Sequence, residues 1–183
     1  QLSHKLVMLL ALLSGQRGQT LHLIDIRNIH FQENSVKIVI GDMLKTSNAK
    51  RHLGEIELMK YDVDPDLCVR HTLSNYLEKT ETRRGSVTRL FITSQRPHRF
   101  ASRDTIGRWM KSVLTMAGID TSIFKPHSTR VASASAAHAL RIPVDTILRT
   151  VGWSSESTFR KFYNKDITLN ADMSKRMLEN YTQ

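Results

Sequence analysis

The sequence predicts a mostly helical protein with one small antiparallel β-sheet near its N-terminus, and three observations support this. Short strand-like runs lie in the first third, apolar residues recur at helical spacing from Asp64 onward, and glycine and proline mark starts and stops at helix-length intervals. The first apolar stretch, residues 2–13, reads as a helix stopped by "SGQRGQ", whose two glycines suit a helix end and a tight turn around Arg17. Residues 29–32, 36–40 and 54–58 read as strands, with "ENS" as a hairpin turn. Asp64 is expected to cap the next helix, with Pro65 in its first turn and "LCVRHTLSNYLEKT" as its body. "RDTIGRWMKSVLTMAG" repeats the pattern and stops at Gly118. Helices follow over "FKPHSTRVASASAAHAL", over "PVDTILRTVGW" with Pro143 at its start, and over "SSESTFRKFY" from about Ser154. An amphipathic segment, "LNADMSKRMLENY", closes the chain.

No repeat, low-complexity tract or linker divides the sequence, so residues 1–183 are expected to form one domain, and an apolar fraction of 40% suffices for its core. The opening "LVMLLALL" is too short to span a bilayer and lacks a signal peptide's cleavage site, so it reads as a buried helix and no membrane partner is expected. Cys68 is the single cysteine, which excludes an internal disulfide and a CxxC zinc site and leaves core packing as its role. The 27 lysines and arginines outnumber 17 acids and leave a charge of +10. That excess favours a polyanionic partner, with nucleic acid ahead of an anionic membrane because no basic amphipathic helix stands out.

The stretch "FKPHSTRVASASAAHAL" poses a chemical question, because its core positions are almost all alanine and its start pairs His127 with Arg130. Residues at i and i+3 share a helix face about 5–6 Å apart, so both can address one hydrogen-bond acceptor. Five stretches offer groups suited to a phosphodiester: "SGQRGQT", "MLKTSNAKRH", "PHSTR", "RTVGWSS" and "FRKFYNK". An arginine presents a planar fork that matches two phosphate oxygens, so Arg17 and Arg130 can clamp the non-bridging oxygens from two sides and stabilise a pentacoordinate transition state. The sequence has no HExxH, no Walker glycine loop and no tight cluster of carboxylates for a two-metal site, so neither metal nor cofactor is expected.

The order Arg, Lys, His-x-x-Arg, Trp, Tyr resembles the catalytic domain of tyrosine recombinases of the lambda-integrase class. Within that class, "SGQRGQT", "SRDTIGRWMK", "PHSTRVASASAA" and "ILRTVGWSSESTFRKFYNK" are similar to recombinases of animal DIRS and Ngaro retrotransposons. The resemblance covers nearly the whole chain and implies the recombinase catalytic-domain fold. It makes Arg17 and Arg130 the two arginines, His127 the motif histidine, and Trp153 the residue that is His or Trp in the family, whose indole N–H can donate to phosphate. Tyr163 is the implied nucleophile, leaving a 3′-phosphotyrosyl link and a free 5′-hydroxyl. The family's hairpin lysine, which protonates the departing 5′ oxygen, matches Lys45 best, with Lys50 as its rival. Thr20 stands where many relatives carry an acid that orients the first arginine; it can accept a hydrogen bond but supplies no charge.

The implied activity is cutting and rejoining of double-stranded DNA for site-specific recombination or integration of a mobile element, by a synaptic dimer or tetramer, in the nucleus of a eukaryotic host. The family's N-terminal core-binding domain is expected to be absent from this chain. Two other readings share the residues: a type IB topoisomerase, which uses the same phosphotyrosyl step as a monomer, and a domesticated, inactive DNA-binding module. Tyr61, Tyr76 and Tyr181 compete as nucleophile, but none follows a Gly-Trp turn by about ten residues. The basic loops "TRRGSVTR" and "SQRPHRF" are candidates to track the DNA backbone.

Overall fold

The most apolar part of the sequence forms the centre of the molecule. In the computed structural model, which describes residues 1–42, 55–153 and 156–162, helix α1 (Leu2–Ser14) buries Leu6, Val7, Leu10 and Ala11 completely. Gly15 ends it in the left-handed conformation at φ 60°, and a second, short helix, α2 (Gly18–Leu23), begins directly after Arg17. Six residues carry too little periodicity to announce α2, so the sequence reads only as a turn there.

Strands β1 (Ile29–Phe31), β2 (Ser35–Val39) and β3 (Glu55–Met59) pair antiparallel in the order β1-β2-β3. Alternation sets the register: Val36 faces Leu58 and Ile38 faces Ile56 on the buried side. On the opposite side Lys37 lies 3.7 Å from both Glu55 and Glu57. The expected lysines, Lys45 and Lys50, lie between β2 and β3, outside the described residues.

Helices α3 (Val69–Arg84), α4 (Arg103–Met116), α5 (Ser128–Ala139), α6 (Val144–Val151) and α7 (Glu156–Phe162) complete the described fold. Ser154, Tyr163 and the final amphipathic segment fall outside the described residues. Among those described, no helix is long and apolar enough to cross a membrane.

Two boundaries differ from expectation. Asp64 does not cap α3: its carboxylate accepts from the Asp66 amide at 2.8 Å and closes a separate turn, after which Cys68 is the N-cap residue. The Leu67 and Cys68 amides are already used inside that turn, on the carbonyls of Asp64 and Pro65, so the helix starts one turn later. Cys68 is buried, as expected, and its Sγ accepts from the Tyr61 amide at 3.4 Å. Likewise α5 starts at Ser128 rather than Phe124, because Pro126 disfavours helical backbone at Lys125. The Pro126 carbonyl then accepts from the Thr129 hydroxyl at 2.8 Å and so joins the turn to the helix.

The buried apolar residues form two clusters. The larger joins α1, the sheet, α3 and α4; the smaller joins Ala134 of α5, Ile147 and Val151 of α6, Phe159 of α7, and Trp153 between α6 and α7. Helix α5 also packs on α1, and its small residues explain how the two can approach. A Cβ at Gly15 would lie 2.8 Å from Val151 Cγ2 and 3.3 Å from Ser133 Oγ. Gly15→Ala therefore combines a left-handed backbone with a collision against a stiff β-branched side chain, and should destabilise the fold by about 2 kcal/mol or more in urea unfolding. A change below about 0.5 kcal/mol contradicts this packing.

Candidate active site

Three separate parts of the chain converge on one cleft of about 920 Å3: the α1–α2 turn, the outward face of α4, and the segment that opens α5. Its lining includes Arg17, His127 and Arg130, the three described residues of the expected site other than Trp153. Arg17 is exposed, in extended backbone (φ −77°, ψ 152°), with its carbonyl accepting from the Leu21 amide at 3.1 Å. His127 is exposed at the N-cap position of α5, and Arg130 follows one turn later, its amide bonded to the His127 carbonyl at 3.2 Å.

Arg130 is held from two directions. It is only 4% exposed, donates from Nη1 to the Gly15 carbonyl at 3.1 Å, and stacks its guanidinium over the Trp153 ring at 4.8 Å from the centroid. Trp153 is itself 3% exposed, packs on Phe159 with centroids 5.7 Å apart, and follows Gly152, which ends α6 at φ 73°. Its position behind Arg130 makes it a support for the arginine, with its ring in the smaller apolar cluster. Thr20, the residue in the place of the family's acid, is buried in α2.

Sequence reasoning missed much of the cleft wall. Arg103, Arg108 and Lys111 of α4, with Lys125, also line it, and among the described residues the lining holds one carboxylate, Asp104, against these cations. Helix α4 buries Ile106, Met110 and Leu114, so its arginines and lysine occupy the opposite side. Amphipathic spacing was the available signal, but a charged helix face usually meets only water. A concave surface this rich in cations concentrates potential and suits a polyanion.

The two basic loops are partly structural. Arg84 is buried, with its usual pKa lowered by that burial, and donates to the carbonyls of Arg89 at 3.1 Å and Leu90 at 3.4 Å. Arg89 pairs with Asp42 at 2.7 Å and also donates to the Leu23 carbonyl. Both arginines therefore hold the fold rather than a nucleic-acid backbone, whereas Arg83, Arg96 and His98 border a surface depression.

Among the rival nucleophiles, Tyr76 is 2% exposed and its hydroxyl accepts from the Ile92 amide at 3.1 Å. Burial raises its pKa, which disfavours the phenolate. Tyr61 is exposed on the stretch after β3, and Tyr181 lies outside the described residues.

Comparison with known proteins agrees with this architecture. The chain is similar over its full length to XerA recombinase, at 16% identity and a TM-score of 0.63, covering 63% of that chain. It is similar over 97% of its length to XerH site-specific recombinase bound to palindromic difH substrate in a post-cleavage complex, at 13% identity and a TM-score of 0.69, covering 46% of that chain. A lambda integrase (75–356) dimer bound to a COC′ core site matches over 91% of the chain, at 18% identity and a TM-score of 0.56, with 53% of that protein covered. The chain thus spans less than two thirds of the length of each. Among curated proteins, none matches it in sequence. The fold is that of a tyrosine recombinase catalytic domain, and residues 1–168 match the model of the phage integrase family, to which this chain belongs.

Proposed function

We propose that the chain carries the strand-cleavage and rejoining chemistry of a tyrosine recombinase acting on double-stranded DNA. The observation that carries this is the convergence of Arg17, His127 and Arg130, from distant parts of the sequence, on one cation-lined cleft. A scissile phosphate in that cleft receives the Arg17 and Arg130 guanidiniums on its non-bridging oxygens, which stabilises the charge that builds at pentacoordinate phosphorus. The Tyr163 phenol oxygen forms a bond to phosphorus as the bond to the 5′ oxygen breaks. His127 accepts the phenolic proton and Lys45, with Lys50 as the alternative, delivers one to the departing oxygen. The phosphotyrosyl ester conserves the bond energy, so rejoining needs no nucleotide cofactor.

DNA-bound complexes among the similar structures, one of them a dimer, support a duplex partner and self-association on it. A mobile-element origin, with action in the nucleus, rests on the motif resemblance.

The test is covalent trapping on a nicked suicide duplex in which the cleaved 5′ end diffuses away. Adduct should form equally with magnesium or with EDTA; loss in EDTA contradicts the chemistry proposed. Duplex affinity should fall steeply with salt, each phosphate contact adding close to one unit to the log–log slope. A slope near zero removes nucleic acid as the partner.

A further inference from the structure

We propose that Gln16 is a positioning residue for strand cleavage, its buried amide tying the turn that carries Arg17 to the helix that ends at the Gly152–Trp153 turn. The inference rests on the cleavage reading above. Gln16 is 3% exposed, although it sits in a turn beside an exposed arginine, and its Nε2 donates to the Thr150 carbonyl at 2.7 Å. Thr150 belongs to the last turn of α6, where helical carbonyls lack intrahelical partners. The Gly152 and Trp153 amides take the carbonyls of Arg149 and Leu148, so the Gln16 amide serves a carbonyl that those two bonds leave unused.

This bond lies on the seam between the two apolar clusters. On one side, the carbonyl of Gly15 accepts from Arg130 of α5. One residue later, Gln16 reaches α6, and one residue later again the chain places Arg17 on the cleft. Two successive residues thus fasten the Arg17 turn to both helices that hold Arg130 and its Trp153 support. A catalytic arginine fixed at two points keeps its distance to a second arginine; fixed at one, its turn can pivot about the remaining bond. Small displacements of this kind slow chemistry far more than they weaken binding.

Two variants isolate the amide donor. Gln16→Met keeps the length of the side chain without a donor, and Gln16→Glu keeps its shape but sets an acceptor against the Thr150 carbonyl. Single-turnover adduct formation on the nicked duplex is measured for wild type and both variants, alongside half-saturating duplex concentration and thermal midpoint, at a temperature well below the wild-type midpoint. Both variants should form adduct about 10- to 100-fold more slowly while duplex affinity stays within about 3-fold of wild type. A folded variant that cleaves within about 3-fold of wild type overturns the proposal, as does a loss seen only as weaker duplex binding. Unfolding of both variants at the assay temperature also overturns it, by marking Gln16 as a residue of folding alone. If the wild-type chain itself forms no adduct, the cleavage reading fails first and the role of Gln16 falls with it, an outcome distinct from loss in the variants only.

Discussion

Tyr163→Phe should abolish the covalent DNA adduct while leaving duplex affinity essentially unchanged. The substitution removes one oxygen, the atom that would bond to phosphorus, and keeps the aromatic ring. The proposed function assigns duplex binding to the cation-lined cleft, and the substitution leaves its Arg17, Arg108, Lys111 and Lys125 in place. Tyr76 cannot substitute, because it is buried and its hydroxyl is engaged by the Ile92 amide. An adduct that persists with Tyr163→Phe would point to Tyr181 or Tyr61 and remove Tyr163 from the mechanism. The measurement is adduct yield on a denaturing gel, with binding followed separately by anisotropy.

Arg130→Ala should slow adduct formation by about 10²- to 10³-fold, as expected for loss of a preorganised donor to a developing oxyanion. Arg130→Lys is the more discriminating change. Lysine keeps the charge but not the planar fork, so it cannot reproduce both the bond to the Gly15 carbonyl and the stack on Trp153. It should lose at least about 10-fold in rate, with part of the loss recorded as a lower thermal midpoint because the site is buried. Arg17→Ala, at an exposed position, should show a comparable rate loss without that thermal change. If Arg130→Lys cleaves at the wild-type rate, the guanidinium geometry has no catalytic part.

The three candidate residues that meet in the cleft were legible from their motifs: His127 and Arg130 at the head of an alanine-rich helix, and Arg17 between two glycines. The sheet was legible because Val36, Ile38, Ile56 and Leu58 alternate with charged neighbours. What the sequence hid are features set by tertiary contact. Gln16 looks like a solvated turn residue until α6 is folded against it, and nothing local distinguishes it from Gln19. Arg84 and Arg89 look like surface charge, yet each satisfies backbone carbonyls or an acid brought close only by the fold. The indole N–H of Trp153 makes it a candidate donor to phosphate from the motif alone; its stack under the guanidinium of Arg130 is visible only in the fold. Helix α2 is too short to show a period, and Asp64 closes its own turn before α3 begins.

The most direct measurement identifies the amino acid that becomes attached to DNA. Wild-type protein is reacted with a nicked duplex, the adduct is digested with protease, and the DNA-linked peptide is sequenced by mass spectrometry. The account predicts a single phosphotyrosyl linkage at Tyr163, joined to a 3′ phosphate, with a free 5′-hydroxyl on the released strand. A linkage to any other residue, a 5′-phosphate on the released strand, or the absence of an adduct under conditions where the protein binds the duplex would contradict it.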